Sequence, residues 1–308
     1  MKYLIFYIIF FFILFILIIY KIITYNNIIE SFEDKFEDNE KYDEIYDDEF
    51  VNFYEIIYRD FSDIDYDTKI VFSKIVENIK NKDTINFLVG GSGVGKLCKK
   101  IKDKYKNVIG IDISENMLKK SQILYPNIKF IRGNLCKKNI FNKDTFSHIY
   151  IDERTIHYNN DKDMINIIQN SFLWLKENGF LIIQIYDPLN LQVACRYYSS
   201  NYMDNKKNLH GFTYLNDFTH DCYYINDEEN KEIFYFYDKI ILDNGMKRVK
   251  KTKLYIPNKE KIYDIILNNG FNVFYIEKLR KQILGGYELA IFRKKKQIIS
   301  VDELEKNK

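Results

Sequence analysis

The chain runs Thr84-Ile-Asn-Phe-Leu-Val-Gly90-Gly91-Ser92-Gly93-Val94-Gly95-Lys96-Leu97 and then, ten residues on, Val108-Ile-Gly-Ile-Asp112-Ile-Ser114. An apolar run (Ile85 to Val89) stops at Gly90, Gly91, Gly93 and Gly95. A helix-compatible run opens at Lys96, and a second apolar run (Val108 to Ile111) ends on Asp112. The order is strand, glycine turn, helix, strand, acid. Glycines let a tight turn bring backbone N–H groups and a helix N-terminus close to a ligand. A carboxylate about 20 residues on, at the next strand tip, is placed to accept both hydroxyls of a ribose. The implied ligand carries a nucleoside.

Three ligand classes compete for such a turn. A dinucleotide fingerprint needs Gly-x-Gly-x-x-Gly, but Lys96 stands where the third glycine should fall. A phosphate-cradling loop needs Gly-x-x-x-x-Gly-Lys-Ser/Thr. Gly90 to Lys96 fits it until Leu97 replaces the hydroxyl that would hold Mg²⁺, and His148-Ile-Tyr-Ile-Asp152-Glu153 looks like the acid-tipped strand of such enzymes.

The third class fits best. Gly-x-Gly-x-Gly followed by a strand ending in Asp112 resembles the first two motifs of class I S-adenosylmethionine-dependent methyltransferases. The likeness continues through Ile-Asp-Ile-Ser-Glu-Asn-Met-Leu (111 to 118), Ile128 to Leu135, Phe146 to Asp152 and the segment from Phe172 through Gly179 to Ile185. It implies S-adenosylmethionine as cofactor, held by Gly91, Ser92, Gly93, Gly95, Asp112, Ile113, Met117, Asn134, Leu135 and Asp152. Three positions depart from the family pattern: Val89 stands where the first strand usually ends in an acid, Asn134 replaces an Asp, and His148 replaces the Asp that opens the fourth strand.

The chain has 308 residues, enough for one large or two small domains, and a formal charge of +2 that gives no nucleic-acid signature. The cysteines, Cys98, Cys136, Cys195 and Cys222, lack metal-ligand spacing and read as free thiols. Residues 3 to 20 carry no charge and, with Ile22 to Tyr25 beyond a snorkelling Lys21, reach the ~20 residues of a bilayer-spanning helix. A cleaved signal peptide would have an apolar region of about 7–15 residues before a small-residue site, and none of that kind follows. The expected organisation is a transmembrane anchor over 1–25, an acidic spacer over 26–50, a methyltransferase domain over 51–296 with a lid or insertion over 189–256, and a polar tail over 297–308. The partner of residues 3–25 is a lipid bilayer. The catalytic domain is expected on the cytosolic side, where the cofactor is made; the cysteines read as thiols, and no Asn-x-Ser/Thr acceptor occurs.

Tyr42, Tyr46, Phe50, Tyr54 and Tyr58 recur every four residues, as one helix face does. In small methyltransferases such a helix often covers the cofactor; a core-packing stripe would look the same. Downstream, apolar strands alternate with helical segments, predicting an α/β, Rossmann-like, doubly wound and mostly parallel sheet with an antiparallel last strand. The turn Asp152 to Tyr158 offers Arg154, His157 and Tyr158 as candidate catalytic groups near the transferred methyl, against an Asp152–Arg154 ion pair and a merely packed His157.

A helix over Lys162 to Asn178 is predicted to stop at Gly179. Leu189 to Asn226 reads as an irregular loop. Asp243-Asn-Gly245 reads as a hairpin whose second arm carries Lys247, Arg248, Lys250, Lys251 and Lys253, either a solvated face or a contact for headgroups or phosphate. A helix over Lys259 to Asn268 and strands Asn272 to Lys278 and Tyr287 to Arg293 complete the methyltransferase pattern. Besides a methyltransferase of unidentified acceptor, a nucleotide phosphohydrolase and a decayed, membrane-tethered scaffold remain open at this level.

Overall fold

The computed structural model describes residues 10–19, 35–39, 46–57, 62–76, 82–186, 200–203, 209–215, 218–278 and 287–295. In chain order the elements are β1 (Lys35–Asn39), α1 (Asp48–Ile57), α2 (Ser62–Val71), β2 (Asn86–Gly90), α3 (Lys96–Lys102), β3 (Asn107–Asp112), α4 (Glu115–Leu124), β4 (Lys129–Arg132), β5 (Phe146–Ile151), α5 (Asp161–Trp174) and β6 (Leu175–Tyr186). An inserted set follows: β7 (Ser200–Met203), β8 (Leu209–Leu215), β9 (Phe218–Asn226), β10 (Ile233–Leu242) and β11 (Lys247–Tyr255). Then come α6 (Lys259–Asn268), β12 (Phe271–Lys278) and β13 (Tyr287–Lys294).

The strand order of the main sheet is β12-β13-β6-β5-β2-β3-β4. β4, β3, β2, β5 and β6 run parallel, and β13 is antiparallel between β6 and β12. Parallel strands covered by helices on both faces are apolar throughout, so β2 reads Phe87-Leu88-Val89 without alternation. Phe87 and Val89 pack with Leu97 and Ile101 of α3 on one face, while Leu88 packs with Ile149, Ile151 and Trp174 on the other. The strand order reverses at β2, with β3 and β4 on one side and β5 and β6 on the other, which opens the ligand crevice beyond the C-terminal strand ends.

Several expectations are corrected. α5 ends at Trp174, not Asn178: Leu175 is already extended and pairs with Phe146. Asn178, not Gly179, takes the positive φ of 60°. Gly179 is needed for close approach, since a Cβ there would lie 2.9 Å from the Lys176 carbonyl oxygen and 3.0 Å from that of Ser147. The stretch read as an irregular loop supplies β7, β8 and β9, although residues 187–199, 204–208 and 216–217 lie outside the described ones. These strands join β10, β11 and β1 in a second sheet, ordered β1-β11-β10-β9-β8-β7.

The acidic segment is not wholly a spacer. β1 runs parallel to β11 with Glu37 opposite Lys250 and Asp38 opposite Lys251, so residues of opposite charge share cross-strand positions. β11 is likewise not uniformly solvated, because strand alternation buries Arg248 and Lys250 and turns Lys247 and Lys253 outward. Cys98 and Cys136 are free, whereas Cys222 is disulfide-bonded, which corrects the reading of four free thiols.

Residues 3–9 and 20–25 of the expected anchor lie outside the described residues. Residues 10–19 are helical, with Phe11 and Phe12 each 62% exposed. Among the described residues no helix is long and apolar enough to cross a membrane.

His148 occupies a core position. Its ring stacks on Phe87 at 4.6 Å and on Phe180 at 5.6 Å between centroids, one from each flanking strand. Ser147 Oγ donates to the Asn86 carbonyl oxygen, so it accepts from His148 Nδ1 at 2.8 Å and fixes the neutral tautomer with the proton on Nδ1. Burial lowers the His148 pKa from 6.5 to about 4. The sign follows: the unfolded chain takes up this proton near pH 6.5 and the folded one only near 4, so stability is full above that window and falls with pH across it. About 3 kcal/mol is lost once both states are protonated. Urea denaturation at about pH 7.5 and about pH 4.5 should show a smaller acid destabilisation in His148→Phe, which keeps the aromatic stack; an equal pH dependence in both proteins would refute the assignment.

Candidate active site

The glycine turn is gripped from β3. Gly91 N–H and Ser92 N–H both donate to the Ile111 carbonyl oxygen, at 2.9 and 3.0 Å. Gly93 N–H donates to Asp112 Oδ2 at 2.8 Å, and Ser114 N–H donates to Asp112 Oδ1 at 2.9 Å. Gly91 has φ 69° and lies so close to Thr155 that a Cβ would fall 1.8 Å from its hydroxyl oxygen. Gly95 has φ 86°, and a Cβ there would strike the Phe130 ring at 2.6 Å. Gly95 does not line the cavity, so its part is helix–sheet packing, which corrects its assignment to the cofactor.

Beyond these strand ends lies a cavity, where a sheet of this topology holds its ligand. Nine of the ten predicted cofactor residues line it: Gly91, Ser92, Gly93, Asp112, Ile113, Met117, Asn134, Leu135 and Asp152. The sheet order sets Asn134, Asp112, the glycine turn and Asp152 side by side, just past β4, β3, β2 and β5. Ser114 caps α4 by accepting from Met117 N–H at 3.3 Å, which carries Met117 to the cavity wall.

Asp112 accepts from two N–H groups and keeps lone pairs for further donors. Burial raises its pKa from 3.8, with the Ser114, Gly93 and Ile113 N–H bonds acting in the opposite direction. Asn134 Oδ1 accepts from Cys136 N–H at 2.9 Å, which holds the amide at the β4 end of the cavity. Ser92 Oγ is buried without a hydrogen-bond partner in the protein, a feature expected where a polar ligand completes the site. Nothing lies within 4 Å of the point where a Cβ of Gly93 would be. These features fit a nucleoside with a polar tail.

Of the predicted catalytic groups, Tyr158 lines the cavity and its hydroxyl lies 3.1 Å from that of Tyr46. His157 does not: it is 0% exposed, its Nε2 accepts from Tyr186 N–H at 3.2 Å and its Nδ1 donates to the Tyr255 carbonyl oxygen at 3.2 Å. An imidazole with both nitrogens engaged by main chain cannot shuttle a proton in the cavity, so the catalytic reading of His157 is withdrawn. The Arg154 side chain lies outside what is described. Residues not singled out beforehand also line the cavity, among them Thr155, Asn159, Gly133 and Val94. Tyr46 and Tyr54, from the aromatic stripe, form part of its wall. Val89 and His148 do not reach it.

Residues 87–179 match a family model described as a methyltransferase domain. These residues are a methyltransferase domain. An S-adenosylmethionine-dependent methyltransferase from Clostridium acetobutylicum shares the fold, with a TM-score of 0.63 and 16% identity over 80% of this chain and 98% of that one. So does CalS10 from Micromonospora echinaspora, an amino pentose methyltransferase with S-adenosylmethionine bound, with a TM-score of 0.59 and 12% identity over 79% of this chain and 96% of that one. In sequence, a caffeate O-methyltransferase-like protein from Oryza sativa is 28% identical over 114 residues; the match spans 37% of this chain and 31% of that relative.

If Asp112 accepts the ribose hydroxyls, as the sequence resemblance implies, its charged form is the one that binds. Affinity for S-adenosylmethionine should therefore fall as pH drops through the raised Asp112 pKa, at a higher pH than an ordinary carboxylate near 3.8 would dictate. Asp112→Asn should weaken binding by about ten- to a hundredfold and flatten this dependence, as calorimetry between about pH 8 and about pH 5 will read. Unchanged affinity would sink the assignment.

Proposed function

We propose that this protein transfers a methyl group from S-adenosylmethionine to an acceptor received between the Asp152–Tyr158 turn and the Tyr46–Tyr54 segment, and that residues 3–25 hold it to a lipid bilayer. The observation that carries the reading is the alignment of Asn134, Asp112, the glycine turn and Asp152 along one cavity.

When bound, S-adenosylmethionine supplies an electrophilic methyl on a sulfonium. The protein's part is to hold and align. Asp112 accepts the ribose hydroxyls, the Asn134 amide oxygen accepts from the adenine amino group, and the glycine turn cradles the tail. Val51 on α1 packs with Val94 and Met117, giving the cavity an apolar cover that excludes water. Alignment in a dry site accounts for most of the rate such a transfer needs, because the nucleophile has only to be brought in line with the methyl.

The phosphohydrolase reading loses support at one residue: Leu97, where a Mg²⁺-holding hydroxyl would stand, gives the cavity wall an apolar side chain that packs into the core. Decay loses support as well, since Val89 and His148 are packing residues and only Asn134 touches the cavity.

For the bilayer, the support is the uncharged run over residues 3–20 and the outward-facing apolar helix over 10–19. The cytosolic orientation now rests on the cofactor's supply, because the disulfide at Cys222 removes the thiol argument.

Calorimetry on the full-length protein should give binding of S-adenosylmethionine and of its demethylated product but not of ATP; binding of ATP alone would replace this reading. Asn134→Asp should bind the cofactor equally or more tightly, and weaker binding would move that side chain off the base. In sealed vesicles carrying the full chain, added protease should digest the domain from the cytosolic face, and protection until detergent is added would reverse the orientation.

A further inference from the structure

The end of the cavity away from Asn134 is built from tyrosines and one carboxylate. Asp152 stands past the β5 tip, and Tyr158 comes from the turn that follows. Tyr46, just before α1, and Tyr54, in its second half, close in together, their rings meeting edge to face at 5.6 Å and 76°. The Tyr46 and Tyr158 hydroxyls lie 3.1 Å apart. No imidazole lines the cavity among the described residues, and its lysine, Lys96, begins α3 beside the glycine turn. Aromatic faces and a carboxylate form the surface expected around a cation. The Tyr46 ring already carries one, with Lys250 Nζ 4.2 Å from its centroid.

Resting on the methyltransferase reading above, we propose that the acceptor is an amine, received by Tyr46, Tyr158 and Asp152. The charge flow of the transfer fits this lining. As the acceptor's nitrogen lone pair forms the new C–N bond, the C–S bond breaks and its electron pair stays on sulfur, which becomes a neutral thioether. The positive charge thus passes to nitrogen, beside the tyrosine faces and Asp152, so these groups stabilise the transition state more than the neutral amine. The ammonium proton then leaves to the Asp152 carboxylate or to water. An alcohol would instead have to lose its proton as the bond forms, to a base of higher pKa than a carboxylate offers. The phenol oxygens accept the amine's N–H groups and leave its lone pair directed at the methyl.

The test uses the full-length protein loaded with S-adenosylhomocysteine and two probes of one shape, choline and the uncharged 3,3-dimethylbutan-1-ol, titrated by calorimetry. Choline should bind about tenfold or more tightly than the alcohol. Asp152→Asn, which is nearly isosteric, and Tyr158→Leu should each lower choline affinity by about tenfold and leave the alcohol unchanged, while Tyr158→Phe retains most of the choline binding. Equal or tighter binding of the alcohol overturns the proposal, and so does failure of both probes to bind protein that holds S-adenosylhomocysteine. Failure of S-adenosylhomocysteine itself to bind marks a different fault, in the cofactor reading, and removes this proposal with it.

Discussion

The site depends on one carboxylate and the two main-chain N–H groups it accepts from. Asp112 joins Gly93, in the glycine turn, to Ser114, the cap of α4. A charge held away from water is costly unless its oxygens are bonded, and here each is. The same bonds fix two loops relative to the tip of β3, so the carboxylate and the glycine turn are set together at the cavity wall. The Ile111 carbonyl, which accepts from Gly91 and Ser92, completes the grip. A turn held in this way is ordered before ligand arrives, so binding loses little chain entropy.

A second dependence runs through α1, which serves both sheets at once. Phe50, Phe53 and Ile57 pack against Phe218, Ile240 and Leu242 of the inserted sheet, while Val51 packs against Val94 and Met117 over the cavity. Fully burying a side chain of this size contributes about 1.5–3 kcal/mol, so the helix cannot lift off one surface without loosening the other. Its start is tied by Asp47, which accepts from Phe50 N–H at 2.8 Å and pairs with Arg248 of β11. Burial works against the Asp47 charge, yet the Arg248 guanidinium and the Phe50 N–H hold its pKa below the usual range. The inserted sheet therefore reaches the cavity through α1, and none of its described side chains lines the cavity.

The parallel core was legible because every signal in it is local: continuous apolar strands, a glycine turn that only certain backbones can make, and an acid at a strand tip. Asp112, Asn134 and Asp152 could be placed because strand ends in such sheets point to one crevice. What escaped is what depends on contacts between distant segments. β8 and β9 carry polar and aromatic side chains on both faces, so period-two alternation is blurred and the strands read as loop. The strand character of Lys35–Asn39 comes from pairing with the basic β11, and no local propensity reveals it. Thr155 and Asn159 entered the cavity through the course of a 3₁₀ turn, Glu153–Tyr158, that side-chain chemistry alone does not foretell.

His157 shows how far residue type misleads when burial is unknown. In sequence it sits beside Asp152 and Tyr158, where a general base would be useful. In the fold it bonds the backbone of β6 through Tyr186 and that of β11 through Tyr255. The Tyr255 hydroxyl in turn lies 2.7 Å from an Asp161 carboxylate oxygen and 2.8 Å from one of Glu232 and donates to one of the two, which ties β11 to the start of α5. The turn that presents Asp152 and Tyr158 is thereby clamped to both sheets. His157 is committed to this clamp and His148 to the core, so among the described residues no imidazole lines the cavity. Under the amine proposal the acceptor needs no deprotonation during transfer, which leaves positioning as the main task of the fold.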